Sequence, residues 1–150
     1  MRLIHFAGAA AAFALVILNT PVPAAFGADS GAPGKMIELL DGLKYTDTVI
    51  GTGPRASKAN KVTIEYTGWL SNNGQKGRQF DTSVGGKPFT FTLGAKQVVP
   101  GFDEGVDGMK EGGKRTVIIP PELGYGARGA GGVIPPNATL IFDIELLKVE

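Results

Sequence analysis

At 150 residues, with 15 Lys and Arg against 14 Asp and Glu and a formal net charge of +1, the chain lacks the basic stripe that nucleic acid or an anionic membrane surface requires, and neither is expected as a partner. It contains no cysteine, which excludes disulfides, thiolate chemistry and a lipid-modified amino-terminal cysteine. Its single histidine is His5, so the chain beyond it has neither an imidazole base nor a histidine metal ligand, and no metal or cofactor is expected.

Arg2 and His5 precede an apolar run from Phe6 to Leu18, which Asn19-Thr20-Pro21 breaks before a stretch of small residues ending at Ala28. This is the order of a secretory signal peptide, and the run is shorter than the roughly 20 apolar residues that span a bilayer. Residues 1–28 are therefore expected to be a signal that is removed, leaving an exported protein, periplasmic or secreted, with no stable membrane insertion. About 120 residues would remain, enough for one domain with one core. Residues 29–42 are expected to be a flexible lead-in, starting with the small, polar, glycine-containing Asp29 to Lys35. The domain itself is expected over 43–150.

Leu43 to Ile50 begins as a strand and stops at Gly51-Thr52-Gly53-Pro54. Val62, Ile64 and Tyr66 alternate with polar residues, the period of a strand with one buried face. Asn72 to Arg78 reads as a polar turn between Leu70 and Phe80. Phe89, Phe91 and Leu93 alternate again. A short helix is expected next: Pro100 suits its first turn, Asp103 and Glu104 suit its positive end, and Gly108 can stop it, with Phe102, Val106 and Met109 facing inward. Thr116 to Ile119 is a further strand, halted by Pro120-Pro121, and Leu140, Phe142, Ile144 and Leu146 alternate in the last one. The pattern predicts an α+β domain, a curved antiparallel β-sheet wrapped around one short α-helix.

Between the last two strands lies P-P-E-L-G-Y-G-A-R-G-A-G-G-V-I-P-P-N-A-T. Gly124, Gly126 and Gly129 spell the dinucleotide fingerprint, but Gly131, Gly132, Pro135 and Pro136 forbid the helix that must follow it, which argues against a nucleotide site. Tyr125, a lone aromatic in this glycine-rich tract, has little local structural reason to be there.

This tract, with Y-T-G at Tyr66 to Gly68, F-D-T-S at Phe80 to Ser83, P-F-T-F-T-L-G at Pro88 to Gly94 and V-V-P-G-F-D-E-G at Val98 to Gly105, resembles in motif and order the FKBP-type peptidyl-prolyl cis-trans isomerases, the macrolide-binding immunophilins. The resemblance spans roughly Leu43 to Glu150. It implies a monomeric enzyme without cofactor that speeds cis-trans isomerisation of Xaa-Pro bonds, here during folding of exported proteins. Its partners would be proline-containing peptides or proteins, and macrolide inhibitors. The alternative is a holdase or binding module that grips proline segments with little catalysis.

Carried over by position, the resemblance implies Tyr66, Phe80, Asp81, Tyr125 and Phe142 as catalytic residues, and Phe89, Val98, Val99, Phe102, Val133 and Ile134 as substrate-binding ones. Phe102 would be the floor of an aromatic pocket, with Tyr66, Phe89 and Phe142 as walls and Val98, Val99, Val133 and Ile134 at the rim. The Val99 N–H and the Tyr125 hydroxyl would hold substrate carbonyls, and Asp81 would line the polar end. Taken without the resemblance, the alternating phenylalanines are ordinary core side chains and Asp81 a turn residue. Phe102 stands where family members often carry tryptophan, and Ala130 where many carry a bulkier residue.

Overall fold

The computed structural model describes residues 32–150; the expected signal, and residues 29–31 of the expected lead-in, lie outside the described residues. Seven strands make one antiparallel sheet: β1 Met36–Glu38, β2 Lys44–Val49, β3 Lys61–Asn72, β4 Gln75–Thr82, β5 Phe89–Thr92, β6 Lys114–Ile119 and β7 Leu140–Val149. Their order is β1-β2-β6-β7-β3-β4, with β5 also pairing β3. The sheet curves around one short helix, α1 Pro100–Val106, which is the α+β arrangement the alternating pattern predicts.

The long central pair, β3 with β7, runs from Val62↔Val149 to Leu70↔Leu140, with a one-residue shift in register between Thr63 and Ile64. Its inward positions Val62, Ile64, Leu140, Phe142, Ile144 and Leu146 are all buried, together with Phe91 of β5, Leu93 just after that strand, and Val117 and Ile119 of β6. Period-two alternation thus marks the face that α1 covers. The helix comes close to β6 because two glycines one turn apart face it. A Cβ at Gly101 would stand 2.4 Å from Ile119 Cγ2, and one at Gly105 2.9 Å from Val117 Cγ1.

Two segments differ from the sequence reading. The lead-in of 29–42 contains β1, in register with β2 from Met36↔Thr46 to Glu38↔Lys44, because backbone pairing to an edge needs no hydrophobic signature. The polar turn of 72–78 is only Asn73-Gly74, both with positive φ, 51° and 84°, as a two-residue hairpin turn requires. Gln75 to Arg78 belong to β4. Its residues are exposed on both faces except Phe80, which is half-buried, so the strand carries no alternation to read.

Helix α1 has no side-chain cap at its start. Asp103 directs Oδ1 to the Gly94 N–H at 2.9 Å, tying the preceding loop to the helix. Glu104 is partly buried beside Asp41, and its carboxyl is pushed up to about 7, by burial first and by Asp41 second. Asp41, accepting Glu104's proton, is held below the usual carboxylate range. A carboxyl raised in the fold favours the folded state most below its unfolded value, and that contribution is lost as pH climbs through about 7. Glu104→Gln keeps a donor for Asp41 without the ionisation. It is expected to raise the melting temperature by about 3 °C at pH 8, after discounting for solvent screening, and to leave it unchanged near pH 4. Calorimetry at both pH values checks this; an equal gain at both would remove ionisation as the cause.

Candidate active site

β3 brings Tyr66 to the open end of the core, where the inward row that starts with Val62 and Ile64 emerges half-buried. β7 supplies Phe142 opposite Gly68, and β4 lays Phe80 over the same glycine. A Cβ on Gly68 would lie 2.7 Å from both Phe142 Cε1 and Phe80 Cζ, so only glycine lets these rings meet above β3. Phe80 and Phe142 are edge-to-face at 5.5 Å. Phe102, from the first turn of α1, closes the bottom edge-on to Phe142 at 5.0 Å and to Tyr66 at 5.6 Å. Phe89 stands edge-on to Tyr66 at 5.8 Å. Phe91, behind it, stacks on Phe89 and touches Phe102. Ring centroids at these separations are the favourable quadrupolar arrangement, which adds rigidity to area burial.

Together Tyr66, Phe80, Asp81, Phe89, Val98, Val99, Phe102, Tyr125 and Phe142 line one cleft of about 190 Å³. Nine of the eleven residues implied by the resemblance therefore meet in space. The other two, Val133 and Ile134, do not line it. Val133 is exposed, while Ile134 is only 5% exposed and packs into the core. The tract from Ala130 folds back on itself as a tight loop, with the Ala130 and Ile134 N–H groups each donating to the other's carbonyl. That closure, which a rim assignment by position does not foresee, turns Ile134 inward. Gln97 is a lining residue that the sequence reading missed. Its Oε1 accepts the Thr92 N–H at 2.8 Å and so fixes the loop ahead of α1; a single polar residue in a loop carries no pattern that announces this.

At the polar end, the Tyr66 hydroxyl donates to Asp81 Oδ2 at 2.8 Å, and Asp81 Oδ1 accepts the Thr82 N–H at 2.8 Å. Burial, and then Asp81, push the Tyr66 hydroxyl up to about 12, so it stays protonated across the neutral range. Tyr125 sits between two single 3-10 turns, Pro121–Leu123 and Gly126–Arg128, and remains 39% exposed at the cleft mouth. Val99, immediately before α1, takes the Phe102 and Asp103 N–H groups on its carbonyl. Its own N–H has no backbone partner among the described residues. The cleft thus offers apolar rings below and around, with two unspent donors, the Val99 N–H and the Tyr125 hydroxyl, near the opening. Among the described residues, no group of three or more His, Asp or Glu stands where it could hold a metal ion.

Comparison with known proteins agrees with this geometry. Residues 53–147 match the family described as FKBP-type peptidyl-prolyl cis-trans isomerase. The chain is 56% identical over 111 residues to an FK506-binding protein of Neisseria meningitidis serogroup B, covering 73% of this chain and 98% of that one. It is 53% identical over 109 residues to FK506-binding protein 1 of Gibberella zeae, covering 72% and 98%. Among solved structures it is similar to FkpA from Escherichia coli, with TM-score 0.69 and 40% identity over 77% of this chain and 51% of that one, and to AtFKBP13, with TM-score 0.70 and 41% identity over 77% and 99%. Such identity, running through nearly the whole described domain and nearly the whole of the Neisseria relative, makes the chain a member of the FKBP-type peptidyl-prolyl cis-trans isomerases.

Proposed function

We propose that the aromatic cleft receives the proline ring of an Xaa-Pro segment and lowers the barrier to rotation about the preceding bond. The observation that carries this reading is the convergence of five rings from β3, β4, β5, α1 and β7 on a single small cleft with donors at its mouth. Rotation about an amide costs roughly 18 to 20 kcal/mol because the twisted form loses resonance. For Xaa-Pro the two end states differ by only about 0.5 to 1 kcal/mol, so the barrier alone is the problem. The planar amide is the more charge-separated form, and a dry aromatic surround raises it relative to the twisted one. Donors that fit the twisted chain better than the planar chain add differential binding.

In this reading Phe102 is the floor, Tyr66, Phe89 and Phe142 are walls, and Val98 packs beside the ring. The Val99 N–H and Tyr125 hydroxyl hold substrate carbonyls on either side of the bond, and Asp81, oriented by Tyr66 and Thr82, faces the polar end. A macrolide of the FK506 class would compete for the same surface. No proton moves, so neither a base nor a metal is needed. A protease-coupled assay on a short Xaa-Pro peptide should show acceleration that is unaffected by chelator. Peptide binding without acceleration would favour a proline-gripping module instead.

Tyr125→Phe removes one hydroxyl from an exposed loop. It is expected to leave stability within about 0.5 kcal/mol and to lower kcat/KM about three- to tenfold. Unchanged kinetics toward several peptides would refute the role of that hydroxyl.

The setting we infer is export. The order of Arg2, the Phe6 to Leu18 run and the small residues up to Ala28 supports a removed signal and a protein assisting folding outside the cytoplasm. Intact mass of exported protein is expected to place the new amino terminus between Ala25 and Asp29; a full-length species in the membrane fraction refutes it.

A further inference from the structure

The loop between β5 and α1, residues 93–99, carries Val98 and Val99 to the aromatic cleft, and two side chains pin it to the rest of the domain. Near its start, the Gly94 N–H donates to Asp103 of α1. Further on, Gln97 reaches back to β5. That strand pairs with β3 alone, so its other edge is open. There Gln97 Oε1 accepts the Thr92 N–H at 2.8 Å, and the Thr92 carbonyl takes the Ala95 N–H at 3.3 Å. An N–H can only donate, which fixes the carboxamide with its oxygen toward the strand. This is the one hydrogen bond of the Gln97 side chain among the described residues.

Peptide planarity decides what this tie controls. The Val99 carbonyl is held by the Phe102 and Asp103 N–H groups of α1, but it belongs to the peptide unit that follows Val99. The Val99 N–H, the donor at the cleft mouth, lies in the plane of the preceding unit, between Val98 and Val99, which the helix does not hold. That plane is set from the loop side, by Val98 packed on the core and by Gln97 just before it. The loop is constrained at this point. Lys96, next to Gln97, is exposed and has a φ of 58°, a left-handed conformation that is costly for a residue with a Cβ and persists only where its surroundings impose it.

We infer that Gln97 is a positioning residue for isomerisation: by tying the loop to Thr92 it imposes the left-handed turn at Lys96 and so aims the Val99 N–H at the substrate carbonyl. This rests on the reading of the aromatic cleft as the prolyl site. The rings supply most of the grip on the ground state, whereas the donor must meet the chain in its twisted form. A misaimed N–H therefore costs turnover more than binding.

The test compares Gln97→Leu, which keeps the bulk but cannot accept, with Gln97→Glu, which restores an oxygen for the Thr92 N–H. NMR exchange on a short Leu-Pro tetrapeptide at several concentrations gives kcat and KM, and amide order parameters report how firmly Val98 and Val99 are held. In the leucine variant kcat is expected to fall about three- to tenfold with KM within about twofold of the parent. Its melting temperature should stay within about 3 °C, because the side chain is exposed. The order parameters of Val98 and Val99 should drop with kcat, and the glutamate variant should recover both. Lys96→Ile, whose branched Cβ cannot hold a positive φ, should reproduce the leucine loss, and Lys96→Gly, which removes the same charge but accepts that φ, should stay within about twofold of the parent. Parental kcat in the leucine variant, a loss confined to KM or to melting temperature, or a glutamate variant no better than leucine overturns the inference. Failure of the parent to isomerise the tetrapeptide would count against the cleft reading alone, and the order parameters with the peptide Kd would still decide whether Gln97 aims the Val99 N–H.

Discussion

Truncating Phe142 to alanine is expected to cost about 3 to 5 kcal/mol of stability and at least tenfold in kcat/KM. The ring is 5% exposed and belongs to the core, yet it is also a wall of the cleft, edge-on to Phe80 and Phe102 and tilted against Tyr66 at 6.2 Å. Removing it leaves a cavity in the core and takes the neighbour from three rings at once. Urea unfolding measures the first loss and peptide isomerisation the second. Phe142→Leu separates them, since it restores most of the volume and should cost roughly 1.5 kcal/mol or less. Near-parental stability with poor efficiency in the leucine variant assigns the ring to the site; parental efficiency would leave it a packing residue only.

The second large loss is expected at a place far less visible in the sequence. Arg115 of β6 is buried and forms a two-point pair with Asp47 of β2, Nε to Oδ1 at 2.6 Å and Nη2 to Oδ2 at 3.0 Å. Its Nη1 donates to the carbonyls of Gly105 at 3.0 Å and Asp107 at 3.3 Å, which are exposed by the end of α1. Its guanidinium also lies 4.1 Å from the centre of the Tyr45 ring. One side chain thus joins β2, β6 and the far end of the helix whose first turn carries Phe102. Asp47→Ala or Arg115→Ala strands a buried charge, and each should cost about 3 to 5 kcal/mol. The double alanine variant should cost much less than the two single losses added together, because the pair acts as one unit. Denaturant midpoints for the three variants decide this. Additive losses would mean that the two residues stabilise the fold separately.

Arg115→Lys is a useful companion, since a point charge cannot reproduce the fork that meets both Asp47 oxygens and the helix carbonyls.

Part of this architecture is legible in the sequence. β3, β5 and β7 were readable because each has one face against the helix and one toward water, and that contrast is written as alternation. Pro100 and Gly108 marked the helix they border. Tyr125 stood out because nothing in its own loop required an aromatic. The family motifs then placed nine residues that the structure gathers around one cleft.

What escaped has a common cause. β4 is wet on both faces except at Phe80, and β1 is a three-residue edge, so neither leaves an alternating hydrophobic record. Ile134 was placed at the rim by its position in a motif, but the fold-back of its loop buries it. Gln97, Gly68, and the Asp47–Arg115 pair have roles that depend on residues 5, 74 and 68 positions away. Sequence by itself determined which side of each strand avoids water, since burial imposes a local period; which distant group each polar or small residue meets was decided only by the tertiary structure, because hydrogen bonds, ion pairs and ring contacts act through space and leave no period in the chain.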